Sequence, residues 1–477
     1  MEILLQESIP TEPSQLLPTT LSSGDHEYIN ITAPPIVPGE AVQIHQQKSS
    51  ESEINPQKLR ILGGIPFLVD DSSFEMQPLR NPAIAIVACS RLESIINSLS
   101  NLLNLKGVEE FTIYVSLGCP HIVSYSIFLN SAGYLLTQKK RVNVVEFNDI
   151  SIPYKATPFL RIHRHYVHLL HLLFEEHNHS HVLLLEDDLL VSPTALSFIN
   201  QTAVILDHDP TLLCISLFND NAYAETPDPT VIRRGSHFPN LGMFFNHEGY
   251  RRVWNITQVT FTTNGWDHWL RTRAEELGLE CLFPALPRVL HQKNSIGTTV
   301  KQGDRSILHL MPFLRDSNEV DLGNLSYLLA SNYDRTIARL FSDPSTENGV
   351  FRNLQLSIPE LVTGKKQYDV SVNEKLSWSN LAHQLGYNEN EIVILSFGDD
   401  SKLVKIESDP NVKVIVVLVT EEYYSQYVSI LHIAKSPRCM HKGVLFLQYK
   451  NRPLIFVNRR EAWSILPTAV SVILSLI

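Results

Sequence analysis

Three consecutive acidic residues, Glu186, Asp187 and Asp188, directly follow the apolar segment His181–Leu185. Such a segment is typical of a buried strand, and open α/β sheets bind ligands just outside the carboxyl ends of their strands. Neighbouring carboxylates repel one another, and a bound cation offsets that repulsion. Hard oxygen ligands suit Mg²⁺ or Mn²⁺, which commonly join protein carboxylates to substrate phosphates. The strand context alone favours a metal site and a solvated acidic loop about equally.

A second group of residues surrounds Asp267, which stands between Trp266 and Trp269 in the segment NGWDHW. A lone aspartate in partly apolar surroundings can serve as a general base. On this pattern alone, a turn with two packed aromatic side chains is the more frequent outcome. Polar residues also occur at 219–221 (NDN) and at 238–242 (FPNLG), and each of these segments is a weak signal by itself.

Histidines are abundant at residues 163–179, and the spacing of His168 and His171 could suit a metal. No matching Cys/His pair at zinc spacing occurs elsewhere, so ordinary helix-surface and cap histidines are the simpler explanation for all of them except His165. The sequence contains no G-x-S-x-G, P-loop or G-x-G-x-x-G motif. Hydrolase, nucleoside triphosphatase and dinucleotide-binding functions therefore lack support.

The composition limits the class of protein further. The 477 residues include 39 Lys and Arg against 50 Asp and Glu, a net charge of −11, so no general attraction for nucleic acid is expected. Apolar residues make up 44% and charged residues 19%, which suffices for a large core and excludes wholesale disorder. Five cysteines are too few for a disulfide scaffold but leave room for one or two bridges.

The candidate residues need elements that position them, and the chain supplies an alternating pattern. A strong helix is predicted at 157–176, with Thr157 as its N-cap and Pro158 as its first residue. Strands alternating with helices predict an α/β fold with a parallel sheet. Buried strands are predicted at residues 83–89, 111–117, 142–147, 181–188 and 212–218, and strand-like segments follow at 392–397, 412–419 and 444–449.

Six segments in chain order resemble the N-acetylglucosaminyltransferase I family of β-1,2-GlcNAc transferases, which includes the O-mannose type. The resemblance spans residues 83–299 and continues more faintly to about residue 458. It implies a GT-A type nucleotide-sugar fold with a Rossmann-like, mostly parallel sheet and a smaller C-terminal α+β region. The segments are ACSR (88–91), RIHRHY (161–166), LLLEDDL (183–189), CISLFNDN (214–221), FPNLG (238–242) and GWDHWLR (265–271).

The resemblance also implies an organisation of the chain. Residues 1–80 are expected to form a disordered stem or linker, and seven prolines within residues 1–60 agree with that. The GT-A catalytic domain is expected at 81–300, and the C-terminal domain at 301–477, with an insertion near 388–436. No signal peptide is visible at the N-terminus, and the apolar tail 464–477 is too short to span a bilayer.

An activity follows from the resemblance: inverting transfer of GlcNAc from UDP-GlcNAc to the 2-hydroxyl of an α-linked mannose on N-glycans. By the same resemblance Asp188 binds Mn²⁺ or another divalent cation, and Asp267 is the catalytic base. Two alternatives stay open, an O-mannose β-1,2-GlcNAc transferase and a non-catalytic homologue that binds a glycan or a partner protein. The residues expected to contact the donor are Arg91, His165, Glu186, Asp187 and Trp266.

The family's cysteine pairs fall on Cys89 with Cys119 and on Cys214 with Cys281, which leaves Cys439 over. Two bridges require an oxidising compartment, and the family implies the lumen of the Golgi. Five Asn-x-Ser/Thr sequons permit that location. The family's membrane anchor has no counterpart in this sequence, so membrane association is expected only through an anchor missing from it.

One departure from the family concerns the donor site. The family carries an aspartate that reads uracil at the end of the second strand, and this chain has Gly118 there. Two further departures are His268, where transferase I has a second aspartate, and a different donor loop at 291–299.

Overall fold

Several expectations concern residues outside the part of the chain that the structure describes. These are most of the stem, the apolar tail, the sequons at Asn30 and Asn255, and most of the segment 388–436. The computed structural model describes residues 59–62, 65–68, 78–119, 121–138, 142–149, 152, 156–222, 228–254, 265–292, 311–340, 392–396, 414–419, 438–449 and 452–458.

Strands and helices alternate along these ranges. The strands are β1 (Leu59–Leu62), β2 (Ile65–Leu68), β3 (Ala83–Ala88), β4 (Thr112–Leu117), β5 (Val142–Glu146), β6 (His181–Glu186), β7 (Leu189–Val191), β8 (Leu212–Ser216), β9 (Ile232–Gly235), β10 (Met243–Asn246), β11 (Glu280–Pro284), β12 (Val289–His291), β13 (Ile392–Ser396), β14 (Val414–Val419), β15 (Val444–Tyr449) and β16 (Arg452–Asn458). The α-helices are α1 (Leu92–Leu103), α2 (Tyr125–Gln138), α3 (Pro158–His171), α4 (Ala195–His208), α5 (His247–Trp254), α6 (Trp266–Glu276) and α7 (Ala330–Leu340).

An eight-stranded, mostly parallel sheet forms the centre of the fold, in the order β5-β4-β3-β6-β10-β8-β11-β9. Strands β5, β4, β3 and β6 run parallel, as do β8 and β11. Strand β10 is antiparallel to both of its neighbours, and β9 is antiparallel to β11. The predicted α/β fold of GT-A type is therefore confirmed. The carboxyl ends of β3, β4 and β6 meet at one edge of the sheet.

Apolar side chains on both sides of β3 explain why this strand is central. Ala83 and Ala85 belong to the core layer that contains Leu169 of α3. Ile84 and Ile86 belong to the opposite layer, which contains residues of α1. A strand covered by helices on both faces needs an apolar run and not an alternating pattern, and AIAIVA is such a run.

Helix α3 begins as the sequence predicts. The Thr157 hydroxyl accepts a hydrogen bond from the Leu160 amide at 3.3 Å, and Pro158 occupies the first turn, where its missing N–H costs nothing. The last five residues of the predicted helix, 172–176, wind as a π-helix. The buried side of α3 and this π-helix is formed by His163, His165, Tyr166, Leu169, Leu170, Leu173 and Phe174.

Both predicted disulfides are confirmed. Cys89–Cys119 joins the segments that follow β3 and β4, and Cys214–Cys281 joins the neighbouring parallel strands β8 and β11. Cys439 is a buried free thiol. The first bridge therefore fastens the sheet edge that carries the acidic residues.

A β-hairpin at residues 59–68 differs from the disordered stem predicted for residues 1–80. Strands β1 and β2 pair antiparallel, with Leu59 opposite Leu68 and Leu62 opposite Ile65. The segment is short but apolar, and two glycines separate its halves, which is a hairpin pattern. The stem prediction was wrong for these residues. The predicted domain boundaries at 80 and 300 stay predictions.

The C-terminal region forms a second sheet, in the order β13-β14-β16-β15. Strands β13, β14 and β16 are parallel, and β15 is antiparallel to β16. The expected α+β character of this region stays a prediction. Strands β13 and β14 lie within or at the border of the segment interpreted as an insertion, and that interpretation stays a prediction.

His441, just before β15, is held between two carboxylates. Its Nδ1 lies 2.8 Å from Glu280 Oε1 on β11, and its Nε2 lies 2.7 Å from Asp334 Oδ1 on α7. Burial lowers the pKa of His441, but the hydrogen bonds to Asp334 and Glu280 outweigh burial and raise the pKa above its ordinary value. Arg234 donates a further hydrogen bond to Glu280. This charged network fastens β15 to the central sheet.

We expect His441→Gln to destabilise the protein by about 3–5 kcal/mol, because it removes one partner from buried ion pairs. The stability that a raised histidine pKa contributes is fully present below the ordinary pKa of about 6.5. It is lost as the pH rises through the raised pKa of the folded protein. Melting curves at about pH 6 and about pH 9, on either side of that value, measure the difference. The gap in Tm between wild type and variant should shrink at the higher pH.

A control for this pH effect is His208→Gln. His208 is exposed at the end of α4, and its Nδ1 lies 2.7 Å from Val204 O in its own helix turn. Its removal should give only a small Tm change. A constant gap for His441→Gln across this range would contradict the charged network.

Candidate active site

The acidic residues lie in a tight turn at the end of β6. Asp187 and Asp188 are buried, at 3% and 4% exposure, and Glu186 is partly buried. The Asp187 amide donates to Val87 O at 3.1 Å, and the Ser98 hydroxyl of α1 donates to Asp187 O at 2.8 Å. The turn is therefore fixed by β3 and α1.

Arg91 neutralises two of the three carboxylates. It precedes α1, and its guanidinium donates to Asp188 Oδ2 at 2.8 Å and to Asp187 Oδ1. Strand β12 pairs with β7 and brings His291 Nδ1 to 3.6 Å from Asp188 Oδ1, too far for a hydrogen bond but close enough for charge attraction.

These contacts give the three carboxylates of the turn different pKa values. Burial raises the pKa of Asp188, but His291 and Arg91 outweigh burial and lower the pKa below its usual range. Burial raises the pKa of Asp187 to about 6, against the opposing effect of Arg91. Burial, followed by the charge of Asp188, raises the pKa of Glu186. Asp188 is therefore the most firmly ionised of the three carboxylates.

Two carboxylate oxygens of this turn suit a cation. Asp187 Oδ2 and Asp188 Oδ1 are buried and have no hydrogen-bond partner among the residues that the structure describes, and an unsatisfied buried anionic oxygen is costly. Within the described part of the chain, no three His, Cys, Asp or Glu side chains converge on one metal position. A cation here would therefore take one or two protein ligands, with phosphates and water as the others, which is common for hard divalent ions.

Asp267 lies in the first turn of α6, where a negative charge is favourable to the helix. Its side chain is 26% exposed. Gly265 precedes the helix with φ of +99°, and a Cβ there would lie 2.9 Å from Asp267 Oδ1 and 3.2 Å from a ring carbon of Phe159. Only glycine fits that conformation and space, so Gly265 sets the position of the carboxylate.

The two acidic groups share the same surroundings. Trp266 stacks on Tyr166 of α3, with ring centroids 4.1 Å apart. Burial raises the pKa of Tyr166 well above its ordinary value, and the charges of Glu186, Asp188, Asp187 and Asp267 raise it further. Asp267 also contributes to the raised pKa of Glu186. The charges of Asp267 and of the β6 turn thus act on the same two side chains, Tyr166 and Glu186.

Arg271 holds Asp267 from the inside of the fold. It is 4% exposed, and its Nη1 donates to Asp267 Oδ2 at 3.0 Å. Its Nε donates to Phe238 O and its Nη2 to Asn240 Oδ1, both at 2.9 Å. The FPNLG segment therefore anchors the arginine that orients the carboxylate.

We expect Arg271→Gln to lower kcat by about 10- to 100-fold, because a charge-assisted hydrogen bond contributes about 1.5–3 kcal/mol. The loss of orientation should affect kcat more than the KM for either substrate. Arg271→Lys keeps the positive charge but lacks the planar guanidinium with its several donors, so it should recover only part of the rate. Steady-state kinetics with both substrates varied measures this; an unchanged kcat in both variants would exclude a positioning role.

His165 occupies the space that a side chain at position 118 would take. It is 5% exposed, its Nε2 lies 2.7 Å from Ser116 Oγ on β4, and its ring stacks on Phe147 at 4.9 Å. Burial lowers the pKa of His165 to about 3, so the ring is neutral. A Cβ at Gly118 would lie 2.4 Å from His165 Nδ1. A larger residue at position 118 would therefore require the His165 ring to shift.

Sequence reasoning missed several residues of this site. Tyr166 was predicted only as a buried helix residue, although it stacks on Trp266 and the charges of both acidic groups raise its pKa. Arg271 carried a usable signal, because it follows Asp267 by four residues on one helix. Asp220 and Arg438 form an ion pair at 2.9 Å across 218 positions of the chain, and nothing in the sequence indicates that pairing.

A GT-A type sheet, an acidic strand end and a second carboxylate that shares its surroundings are typical of glycosyltransferases that use nucleotide sugars, and that is the class which the fold and the site define. The model of the GNT-I family matches residues 39–390, about three quarters of the chain. The chain belongs to the GNT-I family.

One relative is the alpha-1,3-mannosyl-glycoprotein 2-beta-N-acetylglucosaminyltransferase of Arabidopsis thaliana. It is 26% identical over 268 residues, which are 54% of this chain and 57% of the plant protein. The chain thus matches little more than half the length of this relative. None of the helices in the described ranges is long and apolar enough to cross a membrane.

Proposed function

We propose that this protein transfers GlcNAc from UDP-GlcNAc to the 2-hydroxyl of an α-linked mannose on N-glycans. The chief support is that Trp266, beside Asp267, stacks on Tyr166, and that the charges of Asp267 and of the Glu186–Asp188 turn both raise the pKa of Tyr166. Membership of the GNT-I family supports a nucleotide-sugar donor and a glycan acceptor, and the plant relative is named for transfer of N-acetylglucosamine to a mannosyl glycoprotein.

Asp267 acts as the general base in this proposal. Inverting substitution at an anomeric carbon needs one base on the side of the attacking hydroxyl, by the logic of inverting glycosidases. Asp267 is partly exposed while Arg271 fixes its inner oxygen. It can therefore take a proton from the mannose 2-hydroxyl as that oxygen attacks.

The turn after β6 receives the diphosphate side of the donor. Asp188, with Asp187 beside it, would hold Mn²⁺ or another divalent cation. Such a cation supplies charge stabilisation for the departing diphosphate. Arg91 adds a guanidinium suited to phosphate oxygens, His165 lies beside the end of β4, and Trp266 offers a face to the sugar. Glu186 would contact the GlcNAc and ribose part of the donor.

We place the protein in the lumen of the Golgi. Its two disulfides need an oxidising compartment, and the family assignment favours the Golgi within the secretory pathway. The acidic net charge of −11 argues against nucleic acid as a partner.

A transfer assay with radiolabelled UDP-GlcNAc tests the proposal directly. Mannose-terminated N-glycan, O-mannosyl peptide and a mannose-free glycan are supplied in parallel, with Mn²⁺ or with EDTA. We expect transfer to the N-glycan that depends on Mn²⁺. Preference for the O-mannosyl peptide would indicate the second transferase type, and donor binding without any transfer would indicate a non-catalytic homologue.

A further inference from the structure

A partly exposed ion pair joins the central sheet to the C-terminal region. Arg438 Nη1 donates to Asp220 Oδ2 at 2.9 Å. The Arg438 side chain is 28% exposed and the Asp220 side chain 12%. Asp220 belongs to the polar segment after β8, and Arg438 lies shortly before β15. Neither residue has a role in the reaction as described so far.

Backbone contacts fix Arg438 in place. The Asn221 side chain donates to Arg438 O at 3.3 Å, and the Cys439 amide donates to Ser236 O at 2.9 Å. The Ser236 amide donates to Met440 O at 2.8 Å. A Cβ at Gly235 would lie 2.6 Å from the Cys439 carbonyl, so this close approach requires glycine.

Residues 236–240 connect the Asp220–Arg438 ion pair with the catalytic carboxylate. Ser236 contacts the segment of Arg438, and Phe238 and Asn240 hold Arg271, which holds Asp267. The charge of Asp220 is the largest cause that raises the pKa of Arg438, and Asp267 contributes as well. Arg438 therefore lies within electrostatic range of the proposed base.

We propose that Asp220 and Arg438 form the subsite for the acceptor sugar and bind the hydroxyl next to the one that Asp267 deprotonates. This inference rests on the proposed function. A carboxylate accepts hydrogen bonds and a guanidinium donates them, so the pair matches a hydroxyl group, which can do both. The occupant is a hexopyranoside with a free hydroxyl beside the attacking one.

The Asp220–Arg438 ion pair is assigned to the acceptor and not to the donor because the charges suited to the donor lie elsewhere. The donor diphosphate is directed to the turn after β6, where Arg91 already pairs with Asp187 and Asp188. The base must contact the attacking hydroxyl, so fixed polar groups around the base contact the rest of that sugar. Few and well-placed polar groups of this kind set orientation in binding sites.

Kinetics of Asp220→Asn and Arg438→Gln test the subsite. We expect kcat/KM for methyl α-mannoside to fall about 10- to 100-fold, mainly through the acceptor KM, because each variant loses charge-assisted hydrogen bonds. UDP-GlcNAc binding measured by calorimetry should stay unchanged. Arg438→Lys keeps the positive charge and serves as the variant expected to fold if Arg438→Gln does not.

Acceptor analogues separate binding from a merely structural role. Wild type should discriminate against the 3-deoxy mannoside, and the Asp220 and Arg438 variants should lose that discrimination. The matched control is Arg273→Gln, whose side chain is 29% exposed and pairs with Glu276 at 2.9 Å, and it should behave as wild type.

The outcomes distinguish this subsite from the proposed function. Active variants that discriminate as wild type does would overturn the subsite and leave the transferase intact. A wild-type protein that binds UDP-GlcNAc but modifies no mannoside would overturn the transferase proposal and the subsite together.

Discussion

Replacing Asp267 with Asn is expected to lower the rate of GlcNAc transfer by about 10²- to 10⁴-fold, the usual contribution of a general base. Asparagine keeps the shape and can still accept a hydrogen bond from Arg271 Nη1, so the start of α6 should hold its place. UDP-GlcNAc binding should be largely spared, because the carboxylate is assigned to the acceptor and not to the diphosphate. Transfer rates with saturating donor measure the effect.

A neighbouring control makes this result specific. His268 is exposed on the next position of the same helix, so His268→Gln should retain near wild-type activity. Full activity of Asp267→Asn would remove this aspartate as the base. Equal losses in both variants would indicate a disturbed helix rather than lost chemistry.

Replacing Asp188 with Asn should abolish the dependence on divalent cation and reduce transfer by about 10³-fold or more, because a metal contributes several kcal/mol of charge stabilisation. The variant removes the most firmly ionised carboxylate of the turn and leaves an amide beside Arg91 and His291. Calorimetric titration of UDP with and without Mn²⁺ measures the coupling. We expect Mn²⁺ to strengthen UDP binding in wild type only.

The control for Asp188 is Asp316→Asn, an exposed aspartate whose carboxylate contacts only Asn318 among the hydrogen bonds that the structure gives it. It should leave the effect of Mn²⁺ on UDP affinity unchanged. UDP binding that still depends on Mn²⁺ in Asp188→Asn would show that the metal does not bind at the β6 turn.

Much of the central sheet is predictable because its strands are apolar on both faces and stand out from their flanks. Residues 83–88, 112–117 and 181–186 form strands where the sequence predicts them. Strand β9 was not predicted, because its sequence IRRG contains two arginines that look solvent-exposed and are in fact buried at 3% and 2%. Arg234 is accommodated there by Asp209 and Glu280, partners that lie far away along the chain.

The site is predictable to the extent that its parts are local. The run Glu186–Asp188 and the flanked Asp267 are visible as types and spacing, and the family resemblance relates them to each other. Their shared neighbour Tyr166 is not visible in this way, because packing of α3 against α6 decides it. The space beside Gly118 is likewise filled by His165 from another element.

The configuration of the product shows whether a lone carboxylate activates the acceptor opposite a departing diphosphate. Proton NMR of the sugar formed from UDP-GlcNAc, whose GlcNAc is α-linked, and methyl α-mannoside measures the new anomeric centre. Single displacement by the hydroxyl that Asp267 deprotonates predicts a β-linkage to the 2-oxygen of mannose. An α-linked product would contradict this account.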